Sequence, residues 1–369
     1  MVTDRPLATF APWAMDAAVY ARPVGLLTGT TAATEVAGGW ALPLAGRPDR
    51  AFAFIELIVR DQARCERLVL GLAEAQLWAE QVGGPVPGLV DTTLERLSAA
   101  RSAFTTHPSC VALMGIVNVT PDSFSDGGDR LDHATAIAAG HAMAEAGADI
   151  LDVGGESTRP GAQPVDPDTE WSRVGPVVRA LADAGHCVSI DTRHATTMAR
   201  ATEAGAAIIN DVTALTGDGD SLATAAGCGT APVVLMHMRG EPRTMQADTH
   251  YRDVVLDVYD ALEARVGACV AAGIARERLI LDPGIGFGKT VAHNLALINQ
   301  LALLHGLGCP VLLGASRKSF IGKLAAAPDP KARLPGSLAA HLTGIAQGAN
   351  ILRVHDVAEH RQALDVGLR

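Results

Sequence analysis

The side chains that could carry chemistry in this sequence fall just after short apolar runs, and they are of a few kinds. Asp152, Asp191, Asn210 and Asp282 each stand at the close of such a run. Carboxylates and amides converging from four places suit a heterocycle rich in N–H donors. Arg159, Arg317, Lys318, Arg353 and His355 supply the opposite charge at other run ends, as a phosphate-bearing substrate requires. Two polar, Gly-rich strings follow the first two runs, one from Asn118 to Gly128 and one from Gly154 to Gly161. Neither a Cys–His pair nor a G-x-S-x-G elbow occurs at these positions, which speaks against covalent acyl chemistry. The string Gly284-Ile-Gly-Phe287-Gly-Lys289 lacks the spacing and the Ser/Thr of a phosphate-binding P-loop. Any single Asp after a strand caps the next helix more often than it catalyses, and a Gly pair can be a turn and nothing more. The argument for function rests on nearly every run ending this way at once.

The apolar runs are Val111–Val119, Ile150–Gly155, Cys187–Asp191, Ala207–Val212, Pro232–His237, Leu279–Pro283, Pro310–Gly314 and Ile351–His355. Between them lie Ala- and Leu-rich stretches at 132–147, 168–184, 194–205, 251–272, 290–307 and 336–348, with apolar positions at three- and four-residue spacing. Gly147, Gly185, Gly205, Gly273 and Gly348 fit C-terminal caps of these helices. Strands alternating with helices imply parallel βαβ units, and eight of them in about 260 residues match a (β/α)8 TIM barrel. An open doubly wound sheet is the architectural alternative. A barrel builds its active site at the C-terminal ends of its strands, which is where the polar residues stand.

Residues 1–106 do not keep that rhythm. Apolar runs at Val24–Leu27, Trp40–Leu44 and Ala51–Val59 are broken by Gly, Pro and Asp, and 61–80 and 90–104 read as helical. This predicts a small α+β extension of unassigned role, with the barrel domain over 107–369. The whole chain has 369 residues, 48% hydrophobic and 19% charged, and carries a formal charge of −10. So apolar a composition excludes a disordered chain, and the acidic balance argues against bulk electrostatic binding of nucleic acid. Six cysteines stand singly, no signal peptide or membrane-length apolar run is legible, and the expected compartment is the cytoplasm.

Taken in order, the strings "LMGIVNVTPDSFSDGG" (113–128), "DILDVGGESTRPGA" (149–162), "SIDT" (189–192), "IINDV" (208–212), "LMHMRG" (235–240), "LDPGIGFGK" (281–289), "GASRKSFIG" (314–322) and "LRVHDV" (352–357) resemble the dihydropteroate synthase family. The resemblance spans about residues 108–369. It implies a transferase of folate biosynthesis and a sulfonamide target, in which 4-aminobenzoate displaces diphosphate from (7,8-dihydropterin-6-yl)methyl diphosphate. It implies that Asp152, Asp191, Asn210, Asp282 and Lys318 bind the pterin, with Met236 packed against the flat ring. Thr158, Arg159, Arg353 and His355 would hold the diphosphate, and Asn118 with Asp122 the Mg2+ cofactor. Phe124, Thr158, Pro160, Phe287 and Ser319 would line the 4-aminobenzoate site. Lys318, Asp282, Arg353, His355 and Asp191 would carry catalysis. The implied mechanism is dissociative, and homodimers through the barrel's outer helices are implied as well. Two other readings are a methyltetrahydrofolate:corrinoid methyltransferase of the same superfamily and a catalytically silent paralogue. By sequence neighbourhood alone, Arg353 could instead pair with Asp356.

Overall fold

The computed structural model describes residues 17–62, 64–107, 109–119, 129–157, 163–240, 245 and 248–367, with backbone only at 48 and 129–132. The chain divides into two compact units, Met1–Arg101 with Ala302–Gly308, and Ser102–Leu301 with Cys309–Arg369.

The first unit runs β1 (Ala18–Thr28), α1 (Gly29–Ala37), β2 (Leu42–Leu44), β3 (Arg47–Arg60), β4 (Cys65–Gly71), α2 (Leu72–Val82) and α3 (Val86–Ser98). β1 lies along one edge of β3, while β2 and β4 share the other, and every pairing is antiparallel. Ile55, Leu57, Val59 and Leu70 bury one face of the sheet against Trp78 and Ala79 of α2 and Val90, Leu94 and Leu97 of α3. The helix expected across 61–80 begins only at Leu72. Residues 65–71 pair with β3 along their whole length, and Leu68 and Leu70 turn to the core while Cys65, Arg67 and Val69 face away. That two-residue alternation, satisfied by a neighbouring strand, outweighs the helical propensity of Glu, Arg and Leu. The second helix spans 86–98 rather than 90–104, because the backbone at Ala99 is already extended.

The second unit alternates strand and helix: β5 (Ala112–Asn118), α4 (Asp129–Glu145), β6 (Ile150–Gly154), α5 (Pro167–Asp183), β7 (Val188–Asp191), α6 (Ala195–Glu203), β8 (Ile208–Asp211) and α7 (Ser221–Gly227). It continues with β9 (Val233–Met236), α8 (Val254–Ala271), β10 (Leu279–Asp282), α9 (Val291–Asn299), β11 (Leu312–Leu313), α10 (Ser319–Leu324), α11 (Leu334–Ala346), β12 (Ile351–Val354) and α12 (Val357–Gly367). The eight strands are hydrogen-bonded in the order β10-β9-β8-β7-β6-β5-β12-β11. Every neighbouring pair in this order is parallel, and a parallel bridge between Leu281 and Val311 joins the two ends into a TIM barrel. The expected glycine caps take the left-handed backbone such an ending needs, as at Gly147 (φ 100°) and Gly205 (φ 103°). Short helices α7 and α10 and the terminal α12 were not legible as periodic stretches, and the helix expected over 290–307 divides into α9 and a 3-10 segment at 301–307.

Strand parity then places the chemistry. Met114, Ile150, Ile208, Val234, Ile280, Leu312 and Ile351 form one apolar cluster contributed by seven strands. Successive side chains on a strand point to opposite faces, so the residue two positions on shares that inward face, nearer the C-terminal end. Those residues are Ile116, Asp152, Asn210, Met236, Asp282, Gly314 and Arg353. On β7 the same parity pairs Ser189 with Asp191.

Candidate active site

The inward positions at the C-terminal rim form one connected network. Arg353 donates from Nε to Asp152 Oδ2 and from Nη2 to Asp191 Oδ2, each at 2.6 Å. Asn210 Nδ2 donates to the same Asp152 oxygen at 3.0 Å. The partner of Arg353 is thus a pair of carboxylates from β6 and β7, while the neighbouring Asp356 binds Arg317, which donates from Nε at 3.0 Å and from Nη2. Arg353 shares the inner face of β12 with the two aspartates, whereas Asp356 lies beyond the strand's end, just before α12. Asp152 is fully buried, and its other oxygen, Oδ1, has no hydrogen-bond partner. A desolvated acceptor in that state is expensive unless a ligand N–H meets it.

Charge and burial shift the proton affinities around this ring. Burial, reinforced by the Asp152 and Glu170 carboxylates, raises Asp191 above the ordinary carboxylate range although Arg353 opposes it. Asp282 is likewise raised by burial, against the Gly284 N–H that its Oδ1 accepts at 2.7 Å. Lys318 is pushed down to about 8 by burial and by the Arg353 charge, with Asp282 and Asp191 working the other way. Its ammonium stands 4.1 Å over the Phe287 ring, a cation–π contact. Burial also works against charge on Arg353, yet the two aspartates hold its pKa above the usual guanidinium value.

The loops after β11 and β12 are cross-linked at the same rim. Ser316 Oγ accepts the His355 backbone N–H at 3.1 Å and lies 2.9 Å from His355 Nδ1. A serine hydroxyl that donates to Nδ1 leaves the imidazole proton on Nε2. Burial and the Arg317 and Arg353 cations lower the His355 pKa to about 3, so the ring is neutral. Arg317 holds a left-handed backbone (φ 57°), fixed by Ser337 Oγ accepting its N–H and by Arg333 donating to its carbonyl. Met236 and Phe287 pack together with Val212 and Met245 beside the ring. Ser319 opens α10 immediately after Lys318.

Of the positions singled out from sequence, the network brings together Asp152, Asp191, Asn210 and Arg353, with Lys318 and Asp282 coupled to it through charge. Asp122, Phe124, Thr158, Arg159 and Pro160 lie outside the described residues. Lys289 is a buried participant that sequence reasoning missed. Its amine donates to the carbonyls of His237 at 3.3 Å and Phe287 at 3.0 Å and lies 3.0 Å from His237 Nδ1, tying the β9 and β10 loops together. Its only sequence signal was its place in the glycine string. Glu170 is another: fully buried on α5, it accepts from Thr192 Oγ1 at 2.7 Å beside Asp191.

For a metal, no group of three His, Cys, Asp or Glu among the described residues could hold one unaided. Asn118 ends β5 half-buried on the inward parity, offering an amide oxygen. A hard ion that takes most of its ligands from substrate oxygens and water fits so sparse a donor set.

A profile of the pterin binding enzyme family matches residues 114–355. The chain is similar to the dihydropteroate synthase of Neisseria meningitidis serogroup C, 49% identical over 257 residues that make up 68% of this chain and 90% of that one. Among solved structures it is similar to Xanthomonas albilineans dihydropteroate synthase with 4-aminobenzoic acid, at 48% identity and a TM-score of 0.66, covering 70% of this chain and 92% of that one. The same enzyme in complex with 7,8-dihydropteroate matches with 45% identity and a TM-score of 0.63 over 70% and 92% of the two chains.

Proposed function

The chain belongs to the pterin binding enzyme family, alongside its dihydropteroate synthases, and on that premise we propose that its barrel joins (7,8-dihydropterin-6-yl)methyl diphosphate to 4-aminobenzoate. The products are 7,8-dihydropteroate and diphosphate. One observation carries the reading: buried Asp152 commits one oxygen to Arg353 and Asn210 and leaves the other without a protein partner. A pterin edge with adjacent N–H donors would satisfy such acceptors, and an analogue lacking those donors would leave them unpaired.

In the proposed reaction the methylene–oxygen bond breaks and its electron pair leaves with diphosphate. The cation left on the methylene is delocalised over the dihydropterin ring, and Asp282, Asp191 and Asp152 face it as fixed negative groups. The Lys318 ammonium would donate to the pterin ring oxygen and N5. The Nε2–H of His355 and the Nη1 edge of Arg353, which its two aspartates leave open, would donate to the departing oxygens. The aniline nitrogen then forms the new C–N bond and releases its proton, so positioning replaces a general base. Asn118 would hold Mg2+ together with Asp122 of the string that follows the first run, and bound there the ion would neutralise diphosphate charge. Phe287 and Ser319, with Phe124, Thr158 and Pro160, would receive 4-aminobenzoate; Thr158 and Arg159 would close on the diphosphate.

Six cysteines, none of them in a disulfide, fit a reducing compartment such as the cytoplasm, and no helix among the described residues is long and apolar enough to cross a membrane. The proposal extends to a homodimer formed on the outer helices, where Leu295, Leu324 and Leu342 are exposed; sedimentation velocity tests it. The activity is tested by diphosphate release from the pterin substrate. Release that requires both 4-aminobenzoate and Mg2+, with dihydropteroate appearing in equal amount, is the expected result. No release under those conditions overturns the reading.

A further inference from the structure

Behind the rim, two buried histidines connect the β11 and β12 loops by a route separate from the side chains that face the site. His341 on α11 and His360 on α12 are 1% and 2% exposed, and His341 Nδ1 lies 2.8 Å from His360 Nε2. His341 Nε2 accepts the Ala315 backbone N–H at 3.1 Å, and His360 Nδ1 lies 2.6 Å from the Asp356 carbonyl. The donors and acceptors fix a direction. Since Nε2 of His341 receives a proton, its own proton is on Nδ1 and points at His360; the lone pair of His360 Nε2 receives it, and the His360 Nδ1–H goes to the Asp356 carbonyl. Both rings are then neutral, which agrees with burial lowering the pKa of each.

The two ends of this chain of hydrogen bonds are Ala315, next to Ser316, and Asp356, next to His355. Ser337 stands one turn before His341 on the same face of α11 and accepts the Arg317 N–H at 2.9 Å, so one helix supplies acceptors for two amides of the Ala315–Arg317 turn. Gly344 lets α11 approach β11 this closely, since a Cβ there would meet Leu313 Cδ2 at 2.1 Å.

We propose that His341 and His360 are positioning residues for diphosphate: a directional imidazole pair that sets the spacing of the Ser316 and His355 loops, and through Ser316 the tautomer His355 presents to the leaving group. The inference rests on the diphosphate-binding reading above. It assigns the pair to one of the two substrates, because 4-aminobenzoate would be held at other positions.

The experiment titrates inorganic diphosphate with Mg2+ into wild-type protein, His341→Leu, His341→Gln and His360→Leu by calorimetry, and measures KM for both substrates. His341→Leu is expected to weaken diphosphate and raise KM for the pterin substrate about tenfold, the loss of one buried acceptor, while KM for 4-aminobenzoate stays within about twofold. His360→Leu should act in the same direction, and His341→Gln should recover most of the loss, since its Oε1 can accept the Ala315 N–H. A folded His341→Leu with wild-type diphosphate affinity, or equal losses toward both substrates, overturns the proposal. Nitrogen NMR of 15N-histidine in the wild-type protein decides it independently of how the variants fold. Nδ1-protonated His341 and His360 are expected; a proton on Nε2 of His341, turned to the Leu313 carbonyl, overturns the brace. A wild-type chain that does not bind diphosphate at all would instead overturn the functional reading on which the brace depends.

Discussion

Two layers of the barrel differ by only two residues along the same strands, and they do opposite work. Ile150, Ile208, Val234, Ile280, Leu312 and Ile351 fill the lower layer with branched apolar side chains. One pleat higher stand Asp152, Asn210, Met236, Asp282, Gly314 and Arg353, four of them polar or charged. Most of both layers is dry: Asp152, Asn210 and Asp282 are buried like the core, and Arg353 keeps 22% of its side chain exposed. The lower layer gains from that dryness through transfer of apolar surface, whereas the upper layer is held in a costly state that ligand contacts can relieve. The barrel's stability and its chemistry are therefore separable by mutation, although their side chains are neighbours.

The sharpest test sets Asp282 against Ile280 on one strand. Asp282→Asn keeps the shape and removes a charge whose burial is unfavourable, so the thermal midpoint should hold or rise. Turnover should fall about 10²–10³-fold, as for loss of one preorganised electrostatic contact. Lys318→Ala belongs to the same class of effect. Steady-state rates near normal in either purified variant would remove those side chains from the upper layer's function. Ile280→Ala should do the reverse, costing about 2–5 kcal/mol of unfolding free energy while KM for both substrates stays unchanged in the protein that remains folded. Denaturant titration together with initial rates separates the two outcomes.

A smaller effect distinguishes the layers by pH. Lys318 titrates near 8 in the structure against an ordinary value of 10.5. The ammonium is needed below that point, so kcat/KM for the pterin substrate should fall as pH rises through about 8. Lys318→Arg should move that limb above the measurable range, because a guanidinium stays charged. Stability moves the other way. Between about 8 and 10.5 the unfolded chain binds the Lys318 proton and the folded one does not, so this group's contribution to stability rises with pH. The smallest effect is expected from Ser316→Ala. It frees His355 Nδ1 from its hydroxyl partner and should raise KM for the pterin substrate about two- to tenfold, the worth of one hydrogen bond, with no change for 4-aminobenzoate.

Much of the upper layer was legible from the chain alone. A parallel barrel needs apolar runs between helices, and the residue that closes each run lies at the C-terminal rim whatever the packing detail. That is why Asp152, Asp191, Asn210, Asp282 and Arg353 could be picked out as a set before any coordinates. The first unit was less legible: β4 reads as helix because Glu66, Arg67 and Leu68 favour one locally, and only pairing with β3 decides otherwise.

Sequence by itself thus determined the barrel, the rim residues and the family, because local periodicity and residue order survive without knowledge of neighbours. Tertiary structure decided the partners. Arg353 turning to Asp152 and Asp191 while Asp356 takes Arg317, Lys289 reaching back to His237, and His341 meeting His360 are contacts between residues 39 to 201 positions apart or, for the two histidines, on separate helices. No short-range pattern encodes such pairings. They follow from which side chains barrel closure brings to a shared dry volume, where an unpaired charge or N–H costs too much to remain.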